Sequence, residues 1–295
     1  MLNAIFVIFG AALWATDTLF RQPMTHEISV LSIVFLEHVF AVMIAAVWVF
    51  AIERKKMEHQ WLAILGAALV GVLGSAFATI FFTMSFEYVN PSVSILLQKT
   101  QPIVVIFLSW LFLGEKLSIR FFLWGALAMA AAFFLSFPHG LVEGELQIAS
   151  IKGVILALAA SMLWAVSTII GKATLKKMSG SHLTLWRFFF GLAALWALVM
   201  FVPQSKIEIP FVVADSKVLR SIFFMALVPG FLGVNLYYRG LTRLKASVAT
   251  LLELAFPLCA IFVNSQFLDL HLENTQLVAA AVLIFAILRI SRINA

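Results

Sequence analysis

The sequence predicts an all-α polytopic membrane protein, with ten transmembrane helices arranged as two inverted five-helix repeats and both termini cytoplasmic. Three observations carry this. The 295 residues are 63% hydrophobic and only 12% charged, against roughly 45–50% and 25% in a soluble domain, and the mean hydropathy is +1.06. Apolar runs recur to the end of the chain. Stretches of the first half also reappear, in order, in the second.

A helix needs about 20 mostly apolar residues to cross a hydrocarbon core near 30 Å. The first span, 2–20, contains "NAIFVIFGAALWA"; no basic stretch precedes it, so it reads as a retained helix and not a signal peptide. The turn-rich "RQPMTHE" separates it from 29–52, and "ERKKMEH" separates that span from 61–86. "YVNP" precedes 91–113, and "GEKL" precedes 119–137. After "FPHGLVEGE" come 153–174 and, past "LKKMSGSH", 182–202. The last three spans, 218–240, 246–267 and 275–290, are set off by "FVPQSKIEIP", "TRLKA" and "LDLHLEN". None of these breaks is long enough for an extramembrane domain.

Lys and Arg concentrate on the cytoplasmic side of membrane proteins. With the N-terminus inside, thirteen of the 20 fall on inner segments and five (Arg21, Lys152, Lys206, Lys217 and Arg220) on outer ones; Lys99 and Arg187 lie within spans. This asymmetry fits a bacterial inner membrane. It also accounts for the net charge of +6 without a nucleic-acid partner. The one cysteine, Cys259, excludes an intrachain disulfide.

At an offset of 155, residues 92–113 and 247–268 share nine identities in 22 positions, including Pro102/Pro257 and the Ser-Val pair 92–93/247–248. At an offset of 150, Leu13-Trp14-Ala15 matches Leu163-Trp164-Ala165, and Thr18 matches Thr168. The first span thus repeats as the sixth and the fourth as the ninth. Each unit has five spans, an odd number, so the two must enter the membrane from opposite sides. Inverted repeats mark secondary transporters, whose sites lie near the midplane between the repeats.

The segments "YVNPSVSILLQKTQPIVVIFLSWLFLGEKLS" and "LTRLKASVATLLELAFPLCAIFVNSQFLDLHL" resemble the two copies of the helix 3–4 region in EamA-type transporters of the drug/metabolite transporter superfamily. The resemblance covers nearly the whole chain, as repeats 1–140 and 150–292. It implies alternating access around a cavity lined by helices 1, 3, 4, 6, 8 and 9, and export of a small metabolite such as an amino acid. The second copy has Asp269-Leu270-His271 where the first has Gly114-Glu115-Lys116, and Glu115 and Lys116 read as interfacial helix-end charges.

Proline at position i frees the carbonyl of residue i−4. For Pro102 that residue is Gln98, and for Pro257 it is Glu253, so both prolines are candidate hinges beside long polar side chains. A charge at membrane depth is functional by default, which places Lys99 and Glu253 first among substrate-binding candidates. They can pair when the site is empty, and a zwitterion can replace both partners. Gln98 and Gln101 share a helix face with Ser94; each is either a ligand or interhelical glue. Glu37, Asn235, Tyr238, Trp14 and Trp164 complete the candidate list. Arg187 reads equally as cavity residue or snorkelling side chain, and Asp17 reads as an interfacial charge. Gly71 with Ser75 and Gly74 with Ala78 form a small-residue packing face in the third span.

Either Glu253 or Glu37 is placed to carry a coupled proton. "VSTIIGK" has Val166 where a phosphate loop needs its first glycine. No His-Glu-x-x-His, cysteine cluster or nucleophile–base pair is visible, so no enzyme, metal site or cofactor is expected. The partners are membrane lipids and a small-molecule substrate. The rivals to a metabolite exporter are an organic-cation exporter and a non-transporting receptor or assembly protein.

Overall fold

The computed structural model describes residues 2–54, 60–140, 150–202, 207–208, 215–267 and 273–293. Lys55, Lys56, Lys206 and the Asp269–His271 stretch lie outside them. The described residues form helices and no strands. Ten helices are long and apolar enough to cross a membrane: α1 (Leu2–Met24), α2 (Val30–Glu53), α3 (Trp61–Ser85), α4 (Val93–Leu113), α5 (Ile119–Ser136), α6 (Ile151–Thr174), α7 (Gly180–Phe201), α8 (Ser216–Leu241), α9 (Ala246–Val263) and α10 (Asn274–Ile293). Apolar side chains such as Trp61, Phe112, Ile119 and Phe201 cover the outside, as hydrocarbon requires. This is an integral membrane protein.

Several helices are irregular, and the sequence explains two of the irregularities. Pro102 cannot donate to the Gln98 carbonyl, so α4 stops at Gln98 and restarts at Gln101. Lys99 N and Thr100 N bond back three residues, to the carbonyls of Leu96 and Leu97, a tighter turn than the α-helix. The restarted half carries the proline in its first turn, where no N–H is needed. The Gln98 carbonyl accepts instead from Ser161 Oγ of α6 at 3.5 Å. In the same way α9 stops at Leu252 and restarts at Ala255, with Pro257 in the new first turn. The sequence predicts bends; the structure has full interruptions, within one residue of the 155 offset. In addition α3 widens to a π-helix over Val70–Phe77 and α8 over Ala226–Gly233.

Glycines set the close approaches. A Cβ on Gly71 would lie 2.5 Å from the Arg187 carbonyl of α7, and one on Gly74 would collide with Ser167 Oγ of α6. The two faces of α3 therefore seat two different helices. A Cβ on Gly10 of α1 would lie 2.8 Å from the Gly233 carbonyl of α8.

Glu115 is a helix-end charge with a specific partner. It is buried, and its carboxylate accepts from Ala246 N at 2.7 Å, Ser247 N at 3.1 Å and the Ser247 hydroxyl. The first N–H groups of a helix have no partner within it, and a carboxylate there also meets the positive end of the helix dipole. Glu115, on the α4–α5 connection, is thus the N-terminal cap of α9. Glu115→Ala is expected to lower stability by about 2 kcal/mol, read as a drop in melting temperature in detergent. Glu115→Gln, which keeps one acceptor, should recover part of it.

Candidate functional site

A cavity of about 170 Å³ lies between the helices. Both interrupted helices and the π-helical segments of α3 and α8 reach it, through Lys99 and Pro102, Glu253 and Leu254, Ser75, and Pro229 and Gly230. Of the residues singled out in the sequence, Trp14, Glu37, Gln98, Lys99, Gln101, Trp164, Tyr238 and Glu253 line it, together with Pro102. Pro257 is not among its lining residues.

Asn235 does not line it. It faces a second pocket with Arg239 and Arg243. The buried stripe of this part of α8 is Val234, Tyr237, Tyr238 and Leu241, the spacing of one helix face. Asn235 and Arg239, one turn apart, fall on another.

The charged groups form three sets. Arg21, counted among outer loop charges in the sequence, is buried, because α1 runs on to Met24 and two carboxylates neutralise the guanidinium. Arg21 NH2 donates to Asp17 Oδ1 at 2.9 Å and to Glu37 Oε2 at 2.7 Å, and Nε donates to Asp17 Oδ2. NH1 reaches Thr83 Oγ1 of α3 at 3.4 Å. Asp17 is therefore an ion-pair partner inside the bundle and not an interfacial charge.

In the second set, Lys99 and Glu253 face the same cavity without a direct ion pair among the described residues. Lys99 Nζ sits 4.0 Å from the centre of the Phe256 ring, a cation–π contact. Gln101 Nε2 donates to Glu253 Oε2 at 3.4 Å. Third, Arg187 lines the cavity from α7, bonded to Ser75, Gly74 and Tyr238.

Polar atoms are left over. Gln98 Oε1 and Thr250 Oγ1 are buried with no hydrogen-bond partner among the described residues, and Tyr237 OH lies beside the Glu253 carboxylate. A buried polar atom without a hydrogen bond costs roughly 1–3 kcal/mol, so two beside one cavity suit a polar ligand. Aromatic rings supply the rest of the wall. The Trp14 and Tyr237 rings lie 5.1 Å apart, and Phe82 packs edge-on against Trp164 at 5.2 Å. Trp164 Nε1 donates to the Gly74 carbonyl at 2.9 Å.

Sequence reasoning missed Arg21, Thr250 and Phe256. For Arg21 a signal existed: Asp17 and Arg21 are four residues apart, the spacing of a helical ion pair.

A bundle of ten membrane helices, broken at its centre around a mixed polar and aromatic cavity, defines the transporter class. The chain belongs to the EamA-like transporter family, whose sequence model matches residues 1–137 and again 151–292. It is 27% identical over 298 residues to the riboflavin transporter ImpX of Fusobacterium nucleatum, covering 99% of this chain and 98% of that one. It is 23% identical over 206 residues to an uncharacterized transporter of Archaeoglobus fulgidus, covering 70% of each. A solved structure known only as a crystal structure of a protein shares the fold, with TM-score 0.73 at 15% identity, over 99% of this chain and 97% of that one.

Proposed function

We propose that this protein is a secondary transporter that moves a small aromatic metabolite of no net charge, riboflavin or a close analogue, by alternating access. The observation that carries the reading is the charge balance of the cavity. Asp17, Glu37 and Glu253 face Arg21, Lys99 and Arg187, three carboxylates against three cations, so a ligand with net charge would be left uncompensated at membrane depth. Riboflavin carries no net charge at neutral pH. Its flat three-ring system suits the Trp14, Tyr237, Phe82 and Trp164 walls, and its polar edge and chain suit the unpartnered oxygens. The full-length likeness to a riboflavin transporter points the same way.

Two inverted repeats, 1–140 and 150–292, are part of this reading. The double family match, the paired interruptions and the paired π-helical segments support them. Rocking of one repeat against the other then exposes the cavity to each side in turn. The Lys- and Arg-rich end is assigned to the cytoplasm.

An amino acid is the second reading, because Lys99 and Glu253 offer opposite charges to one cavity without pairing. Riboflavin fluorescence decides between them. Titration into purified protein should quench it, excess amino acid should not restore it, and Trp14→Ala should weaken binding by about tenfold through lost stacking. Stabilisation by amino acids with no riboflavin quenching would instead establish the zwitterion reading. Stabilisation by organic cations that survives Lys99→Ala would establish a cation exporter. Proteoliposomes loaded on one side or the other then read the direction, including the export expected from the resemblance.

A further inference from the structure

Among the described residues Arg187 is bonded to neutral groups. Its Nε donates to Ser75 Oγ at 3.2 Å, NH1 to Tyr238 OH at 3.0 Å and NH2 to the Gly74 carbonyl at 3.2 Å. A guanidinium has five N–H groups, so one on each terminal nitrogen remains. What fixes the fork in place can be read from hydrogen-bond direction alone.

His38, buried on α2, holds Nδ1 2.8 Å from the Val34 carbonyl and Nε2 3.0 Å from Ser75 Oγ. A carbonyl only accepts, so Nδ1 carries the proton. In the neutral ring Nε2 is then an acceptor, and the Ser75 hydroxyl must donate to it. That leaves the Ser75 oxygen lone pairs to receive the Arg187 Nε–H. The chain runs one way, from Arg187 to Ser75 to His38 to Val34. Charging His38 would turn Nε2 into a donor, oppose it to the Arg187 donor at the same oxygen, and set a second cation beside the first. The other charged groups lining this cavity are Asp17, Arg21, Glu37, Lys99 and Glu253. None of them is a bonded partner of His38 or Ser75 among the described residues.

We infer that Arg187 forms an oxygen-binding subsite of the cavity, and that Ser75 and a neutral, Nδ1-protonated His38 are the positioning residues that aim it. The ligand group it takes is an electron-rich oxygen edge. This rests on the transport reading above and deepens it, since in riboflavin that edge is the pair of imide carbonyls and in an amino acid it is the carboxylate. The close packing is consistent with a fixed fork. A Cβ on Gly191 would lie 2.8 Å from the His38 ring, and one on Gly71 would lie 2.5 Å from the Arg187 carbonyl.

The experiment has two arms. Nitrogen NMR of histidine-labelled protein should find His38 protonated at Nδ1 and bare at Nε2; the opposite tautomer or an imidazolium overturns the chain. In the second arm, riboflavin and an α-amino acid are titrated into wild type, Arg187→Lys, Ser75→Ala, His38→Phe and His38→Gln. Phe preserves the ring packed edge-on against Phe188 but has no acceptor, whereas the Gln amide oxygen reaches the position of Nε2. Ligand affinity should fall about tenfold or more in Arg187→Lys, Ser75→Ala and His38→Phe and stay within about threefold of wild type in His38→Gln. A purely structural role would not separate Gln from Phe in affinity. Riboflavin binding indifferent to all four variants overturns the subsite and leaves the transport reading standing. Amino-acid binding in place of riboflavin, with the same variant pattern, keeps the subsite and overturns the riboflavin assignment. No binding of either ligand by wild type overturns both.

Discussion

Arg21→Met should be the most destabilising single substitution in the bundle, by about 3–5 kcal/mol. The side chain is buried between Asp17 and Glu37 and also reaches Thr83. It therefore ties three helices, α1, α2 and α3. Removing it leaves two carboxylates together at membrane depth with no cation bonded to them, and the cost is that of the stranded charges more than of the lost hydrogen bonds. Arg21→Lys should fall between wild type and Arg21→Met, because an ammonium keeps the charge but cannot donate in parallel to both Asp17 oxygens. The decisive comparison is the triple variant Asp17→Asn, Glu37→Gln, Arg21→Met, which removes every charge of the cluster and should regain most of the loss. Melting curves of the four proteins in one detergent test this. A triple variant no more stable than Arg21→Met would mean that the contacts, and not the balanced charges, hold the helices together.

The same cluster marks where reading the sequence stops. The ten spans are legible because about 20 apolar residues between charged or turn-forming breaks have no other stable home. That the helices depart from regularity at Pro102 and Pro257 is legible, though not that they break fully, because the clash between a proline ring and the carbonyl four residues back is local. Arg21 is harder, since "RQPMTHE" reads as a turn with a charge at its edge. What neutralises that charge is Glu37, sixteen residues on and across a helix pair. The capping role of Glu115 is hidden for the same reason: its partners, Ala246 and Ser247, lie on the far half of the chain. Asn235 fails for another. A polar residue in an apolar span attracts notice, but its direction depends on the helical phase, and Tyr237 and Tyr238 hold the phase that faces the cavity. Glu37 and Arg187, of opposite charge, both reach the cavity but with different neighbours.

Lys99 and Glu253 give the largest expected effect on transport, and their combination separates the two substrate readings. If the cavity takes a neutral ligand, what matters is that its fixed charges cancel. Lys99→Met then leaves one excess negative charge and Glu253→Gln one excess positive charge. An uncompensated charge at the membrane centre costs about 2.5–3.5 kcal/mol, so each single substitution should slow riboflavin uptake into proteoliposomes by about a hundredfold. The double variant restores neutrality, and its rate should return to within about tenfold of wild type, a coupling well outside the additivity expected of independent sites. A zwitterionic substrate predicts the reverse. There Lys99 and Glu253 are the partners of the substrate's own two charges, removing both removes both partners, and the double variant is at least as slow as either single one. The geometry favours cancellation, because Lys99 Nζ already rests on the Phe256 ring and Glu253 already accepts from Gln101. Each charge thus has a partner within the protein before any ligand arrives, and what the cavity leaves unsatisfied among the described residues is a pair of neutral oxygens, Gln98 Oε1 and Thr250 Oγ1.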